Sequence, residues 1–297
     1  MLPIIHHPDY DATSVGDGHR FPMRKYSLVA ELLRAKGHLF ETPDHASQSD
    51  LERAHHPDYV HAVLTSRLDR KDARKIGFEM TPAIAARSRA SCGGTLLAGH
   101  RALQTGAAAT LAGGSHHAGP DGGAGFCVFN DVAVAALALL AEQPNLKIAI
   151  LDFDVHHGDG TALIFADDPR VFTTSLHCAE NWPRTKPPSD LDLALPKDTG
   201  DEAYLAAATT ALNTTIDRAK PDLIFYNGGV DPHHEDRLGL LNLSDTGLQA
   251  REALVAQTCH AKGIPLATTL GGGYQTEAAK VAERHTWMID ALQAQFG

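Results

Sequence analysis

The chain alternates short apolar runs with longer amphipathic stretches, and several apolar runs stop abruptly in aspartate, histidine and glycine. Ile148-Ala149-Ile150-Leu151 passes directly into Asp152-Phe153-Asp154-Val155-His156-His157-Gly158-Asp159-Gly160. The run over 223–230 ends at Asp231, that over 265–270 in Gly271-Gly272-Gly273-Tyr274, and that over 109–114 in Ser115-His116-His117. Apolar runs of this length read as buried strands, and a further strand is expected over 38–42. Helices are expected over 25–35, 49–54, 57–66, 82–105, 131–142, 201–219, 244–261 and 275–295, with Asn130 or Asp131 capping the one that starts at 131. The pair Gly93-Gly94 inside the 82–105 helix marks close packing. Strand and helix in alternation predict a mostly parallel α/β sheet covered on both faces. Ligands bind at the carboxyl ends of the strands in such a sheet, so the four polar clusters are expected to meet in one crevice.

Composition narrows this picture. The 297 residues are 43% hydrophobic and carry no Ser/Gly/Pro-rich linker, which fits a single domain over 1–297. The most apolar helical stretch, 132–141, falls short of the roughly 20 residues that span a bilayer. The amino terminus lacks the basic and apolar regions of a signal peptide, so a cytoplasmic location is the expectation. Cys92, Cys127, Cys178 and Cys259 are scattered, which indicates neither a disulfide framework nor a zinc knuckle. A formal net charge of −10 argues against nucleic acid as a partner and suits a cationic substrate, such as a lysine-rich peptide or a polyamine. The pentapeptide His-His-Pro-Asp-Tyr occurs at 6–10 and 55–59 in unlike surroundings and reads as coincidence.

The chemistry starts from a metal. Period-two geometry puts Asp152, Asp154 and His156 on one side of an extended chain. Asp154, His156 and Asp231 then make three protein ligands and leave a position open for water, as a catalytic mononuclear site requires. Two carboxylates with one imidazole suit Zn2+, and also Fe2+, manganese or cobalt. His116 and His117 follow a strand and precede a glycine-rich loop that includes Gly125, where backbone can pass close to a substrate. A histidine beside the metal can deprotonate water and later protonate a leaving amine. Asp152 and Asp159 remain to orient one imidazole each. Tyr274 either donates a hydrogen bond to the oxygen of a tetrahedral intermediate or is simply a packed tyrosine. His6-His7, His55-His56 and His233-His234 are expected to be surface or cap features.

Five strings together resemble the zinc-dependent histone deacetylase superfamily, in its order and spacing: 113–118, 125–131, 151–161, 229–232 and 271–274. The resemblance runs from about Ile4 to Met288, and the strings at 19–23 and 177–183 look more like the class IV type and its bacterial relatives than class I or II. It implies the arginase/deacetylase fold, a three-layer α/β/α sandwich around an eight-stranded sheet. It also implies Asp154, His156 and Asp231 as zinc ligands, His117 with Asp159 as the proton-transferring pair, His116 with Asp152 as the electrostatic pair, and Tyr274 polarising the carbonyl. Phe126 and Trp182 match the walls of an acyl-lysine tunnel, with Gly125 and Gly273 completing the substrate-binding set; Trp182 is alternatively a core residue. Asp152, Asp154, His156, Ser175 and Leu176 match a structural K+ site, and Phe165, Asp168 and Val171 a second one. The rim aspartate of larger deacetylases has no clear counterpart here, and Glu79 is the substitute considered.

The activity so implied is removal of acetyl or longer acyl groups from the ε-amine of lysine. Alternatives are an acetylpolyamine amidohydrolase or a non-catalytic acyl-lysine-binding protein, which would lack His117 or Tyr274. The two-manganese ureohydrolases resemble this chain less. Gly158 and Gly229 stand where their motifs carry further aspartates, so one metal is expected.

Overall fold

A computed structural model of the protein describes residues 1–12, 14–16 and 18–297. Seven parallel strands form its sheet: β1 (Ile4–Ile5), β2 (Ala107–Thr110), β3 (Ile148–Asp152), β4 (Val171–Cys178), β5 (Leu191–Leu195), β6 (Leu223–Asn227) and β7 (Leu266–Thr269). Their order is β1-β2-β7-β6-β3-β4-β5. Every residue of β2, β3, β6 and β7 is buried, as expected of strands covered on both faces. Edge strand β5 instead alternates between half-buried and exposed positions.

The helices are α1 (Lys25–Ala35), α2 (Gln48–Leu51), α3 (Pro57–Leu64), α4 (Arg70–Ile76), α5 (Pro82–Thr105), α6 (Asp131–Glu142), α7 (Asp159–Ile164), α8 (Asp201–Ala219), α9 (Asp245–Lys262) and α10 (Ala278–Phe296). α5 and α6 pack together on one side of the sheet, while α1, α10, α9 and α8, each packed on the next, form the other layer. Gly94 in α5 has no room for a side chain, because an added Cβ would meet Tyr10 and Thr110. Among the described residues, no helix is long and apolar enough to cross a membrane. All four cysteines are buried and free.

This is the expected α/β/α arrangement, with corrections in detail. Among the described residues the sheet has seven strands, not eight. The 38–42 stretch forms no strand; it contributes only an isolated bridge between Glu41 and Ile5, because the real edge strand is the two-residue β1. α4 was not anticipated: it is a charged helix that buries only Ile76.

Winding runs outward from β3 to β4 and β5, then returns to place β6 on the other side of β3. The boundary between β3 and β6 is thus a topological switch point, where an open α/β sheet offers a crevice. Residues 152–159 and 228–231 emerge there.

Candidate active site

Asp154 and His156 follow β3, and Asp231 follows β6 on the other flank of the switch point. All three are buried, and they offer ligand atoms within 4.8 Å of one another. His156 turns Nδ1 toward both carboxylates, at 3.1 Å from Asp154 Oδ1 and 3.2 Å from Asp231 Oδ2. Backbone amides hold the outer oxygens: Gly272 donates to Asp154 Oδ2 at 2.7 Å and Val155 to Asp231 Oδ1 at 3.0 Å.

Electrostatics bear on what these three side chains can hold. Burial and the neighbouring Asp154 push Asp231 up to about 7. Against its own burial, Asp154 is held well below the usual carboxylate range by His116 and His156. His156 is raised to about 10, against burial, by the same two carboxylates. Two buried carboxylates this close favour positive charge beside them, which His156 or a bound cation can supply. The donor set, two carboxylates and an imidazole nitrogen that both of them face, fits a divalent transition metal.

Two histidine–aspartate pairs stand beside this triad. His116 Nδ1 lies 2.6 Å from Asp152 Oδ2 and His117 Nδ1 2.6 Å from Asp159 Oδ1. Although adjacent in sequence, the imidazoles diverge in character. Burial lowers both, but Asp152 and Asp154 carry His116 up to about 9, whereas burial and the His116 charge hold His117 down at about 3. Asn227 at the end of β6 donates to the other oxygen of Asp152 at 2.9 Å.

His156 of the triad and His117 of its dyad line a cleft of about 430 Å³, together with Phe126, Gly125, Trp182, Tyr274, Asn181 and Arg20 among others. Trp182 is 47% exposed, which rules out the core-residue alternative, and its ring stands edge-on to His117 at 4.6 Å. Gly125 lies between these two rings with φ +52°, and a Cβ there would sit 2.7 Å from His117 and 2.8 Å from Trp182. Phe126 faces Tyr274 at 5.8 Å between ring centroids. Tyr274 is buried among Phe21, Phe126 and His156, and burial followed by Asp154 and Asp231 carries its phenol well above the usual range. Gly273, with φ +147°, closes the loop ahead of it against Val230 and Val281.

Other expected positions fall less simply. Ser175 and Leu176 lie on β4, with Ser175 in register with Asp152, and the Ser175 hydroxyl bonds His177 Nδ1 at 3.0 Å. At the second proposed monovalent site the Asp168 carboxylate is gripped by Arg170. Glu79 is exposed and is not among the residues lining the cleft. His7 and His56 do cap helices, but His55 and His233 are buried, which corrects the surface expectation. His55 accepts the Asn130 amide at 2.9 Å and bonds Gly119 O at 2.8 Å, so it braces the loop after His117.

Several positioning groups carried no sequence signal. Asp236 accepts the backbone N–H groups of Tyr274, Leu238 and Gly239 at 2.7, 2.9 and 3.0 Å. Lys25, fully buried, donates to Gly271 O at 2.8 Å over the faces of Phe21 and Tyr26. Arg251 of α9 donates to Phe153 O at 3.2 Å and Gly229 O at 2.8 Å, which ties the end of β3 to the end of β6.

The comparisons with known proteins fit this geometry. Residues 19–289 match the Histone deacetylase domain family. The chain belongs to that family. A relative in Picosynechococcus sp., an uncharacterized protein, is 43% identical over 98% of both chains. The acetoin utilization protein AcuC of Bacillus subtilis is 29% identical over 91% of this chain and 77% of its own. Histone deacetylase 2 of Arabidopsis thaliana is also 29% identical, over 94% and 76%. Among solved structures, an HDAC homolog complexed with SAHA superposes with a TM-score of 0.83 at 24% identity, over 98% of this chain and 84% of that one. The HDA15 HD domain superposes with a TM-score of 0.81 at 22% identity, over 98% and 91%. The fold is therefore the deacetylase type, and the family's chemistry is deacetylase-like amide hydrolysis.

Proposed function

We propose that this histone deacetylase family member is a zinc-class metallohydrolase that removes acetyl or longer acyl groups from lysine ε-amines. The observation that carries the reading is the meeting, at the base of one aromatic-walled cleft, of a buried Asp/His/Asp triad with two histidine–aspartate dyads of opposite protonation preference.

Asp154, His156 and Asp231 would hold the metal, which supplies Lewis-acid polarisation of a carbonyl and a water of lowered pKa. His117, held neutral, takes a proton from the attacking water, and its bond to Asp159 through Nδ1 leaves Nε2 for that task. His116, held protonated by Asp152, stabilises negative charge nearby and, with His117, brings the proton to the departing amine. The Tyr274 phenol, kept un-ionised, donates a hydrogen bond to the acyl oxygen. Phe126 and Trp182 enclose the alkyl stem of the substrate, with Gly125 and Gly273 providing the close backbone. A K+ ion at Asp152, Asp154, His156, Ser175 and Leu176 would brace the same loop from behind.

One metal suffices for this cleft. A side chain at Gly158 would place its Cβ 2.5 Å from Asp152, and one at Gly229 would place it 2.3 Å from Asp154, so neither position has room for a further carboxylate. The cleft is also lined by one carboxylate, Glu180, against one guanidinium, Arg20, besides the imidazoles of His117 and His156, which offers no excess negative charge to a polycation. That favours acyl-lysine within a peptide over an acylpolyamine, and Tyr274 and His117 favour hydrolysis over binding alone.

Zinc-loaded protein assayed on acetyl-lysine peptides, longer acyl-lysine peptides and acetylpolyamines tests the reading. Turnover is expected on the peptides and should disappear, together with the cleft metal, in Asp154→Ala, His156→Ala and Asp231→Ala. Full turnover in any of the three would defeat the ligand assignment.

A further inference from the structure

The repeated pentapeptide His-His-Pro-Asp-Tyr builds the same local structure at both places. In each copy the second histidine is the N-cap of a helical segment that begins with proline, and the tyrosine is buried. Nδ1 of that histidine accepts the backbone N–H of the aspartate two residues on, at 3.0 Å for His7 and 3.3 Å for His56. The aspartate Oδ2 lies alongside, 3.8 Å from His7 Nδ1 and 3.7 Å from His56 Nδ1.

The copies differ in one respect. At the first, His45 brings Nε2 to 2.8 Å from Asp9 Oδ2, with its ring 4.8 Å from that of His7. At the second, Asp58 points into solvent with 96% of its side chain exposed, and among the described residues no third donor completes a cluster there.

We propose that His7, Asp9 and His45 form a second metal-binding site, remote from the catalytic triad in sequence, for a divalent transition metal of the zinc class. Their ligand atoms all lie within 4.8 Å of one another, a spacing that bonds of about 2.0 to 2.2 Å to one ion close with small side-chain rotations. Two imidazoles with one carboxylate select such an ion over magnesium or calcium, which prefer oxygen. The cap also sets the tautomer: a ring nitrogen that accepts an amide N–H carries a lone pair, not a proton. An ion takes that lone pair in exchange for one hydrogen bond at a helix end. With side chains 17% to 42% exposed, the cluster is open to solvent, and water can fill the remaining coordination positions.

The ion would clip the turn at 8–10 to the loop that carries His45. That loop follows the backbone bonds Glu41 N–H to Ile4 O and His6 N–H to Glu41 O, at 2.9 Å each, which secure edge strand β1. Binding there stabilises the folded chain by an amount that grows with the logarithm of the free metal concentration once that exceeds the Kd.

The test is metal stoichiometry of the full chain, stripped by chelator, reloaded with Zn2+ and dialysed, with Co2+ absorption as an independent reading of ligand geometry. Two ions per native chain are expected, one in His45→Ala, and two in His56→Ala, the matched control. Asp154→Ala, which vacates the cleft, should keep one ion, so this site stands or falls separately from the hydrolase reading. His45→Ala should melt like the native chain without metal and retain its turnover on an acetyl-lysine peptide. Equal stoichiometry in His45→Ala and native protein, a single ion in the native chain, or none in Asp154→Ala would each overturn the proposal.

Discussion

The carboxylate of Asp236 accepts the backbone N–H of Tyr274 at 2.7 Å, while its other oxygen takes the amides of Leu238 and Gly239. One side chain therefore anchors the glycine loop on one side and the cleft-lining 238–240 segment on the other. An amide can accept on only one side, so Asp236→Asn should lower kcat on an acetyl-lysine peptide and leave the metal content intact. Asp236→Ala strands the buried amides at a cost of about 1 to 3 kcal/mol each, and its melting temperature should fall as well. Unchanged kcat in both variants would show that the anchor has no bearing on Tyr274.

Tyr274→Phe keeps the ring among Phe21, Phe126 and His156 and deletes only the hydroxyl. Turnover should drop about a hundredfold to a thousandfold, the usual effect of removing one donor to a developing oxyanion. Single-turnover kinetics with saturating enzyme isolates the chemical step, and a native-like rate there would return Tyr274 to a packing role.

Gly125 has no spare space between His117 and Trp182, and its φ of +52° already disfavours a side chain. Gly125→Ala should displace both rings and reduce kcat/KM by roughly a hundredfold, in line with a small misplacement of reacting groups. Trp182→Ala, by contrast, removes an exposed wall: KM should rise while metal content and melting temperature hold. A large loss of stability in Trp182→Ala would contradict its place at the mouth.

Stability should fall in acid for a specific reason. His6, His55, His177 and His233 are held at about 4 and His117 at about 3, with burial the first cause in each case. Their folded values lie below the unfolded 6.5, so the unfolded chain binds more protons as pH drops. Their contribution is complete above about pH 6.5 and is lost as pH falls through 4 toward 3. His116, raised to about 9, acts oppositely: its contribution is present below 6.5 and fades as pH rises through 9. Thermal melts from pH 8 to pH 4 should show a steady decline below 6.5, and a flat profile there would show that these rings are not buried neutral.

Much of the architecture could be read from the chain, because the informative residues are local. An apolar run that ends in Asp152-Phe153-Asp154-Val155-His156 announces both a strand and ligands, and the glycines at 271–273 announce a turn before Tyr274. The link of Asp236 to Tyr274 and that of Lys25 to Gly271 were illegible since the partners are backbone groups 38 and 246 residues away. The expected strand at 38–42 failed where edge pairing depended on β1, whose two residues are too few to leave a pattern. His55 looked like one of a surface pair, yet its role is set by Gly119 and Asn130, 64 and 75 residues distant.

Arg251 touches none of the ligands, yet it grips the carbonyl of Phe153 just before Asp154 and that of Gly229 two residues before Asp231. The two halves of the triad are thereby kept in step by a buried residue of α9. Damage to that fastening would reach an experimenter as weakened metal affinity, with every cleft residue still correct. A search for inactive variants confined to the cleft would pass over its cause.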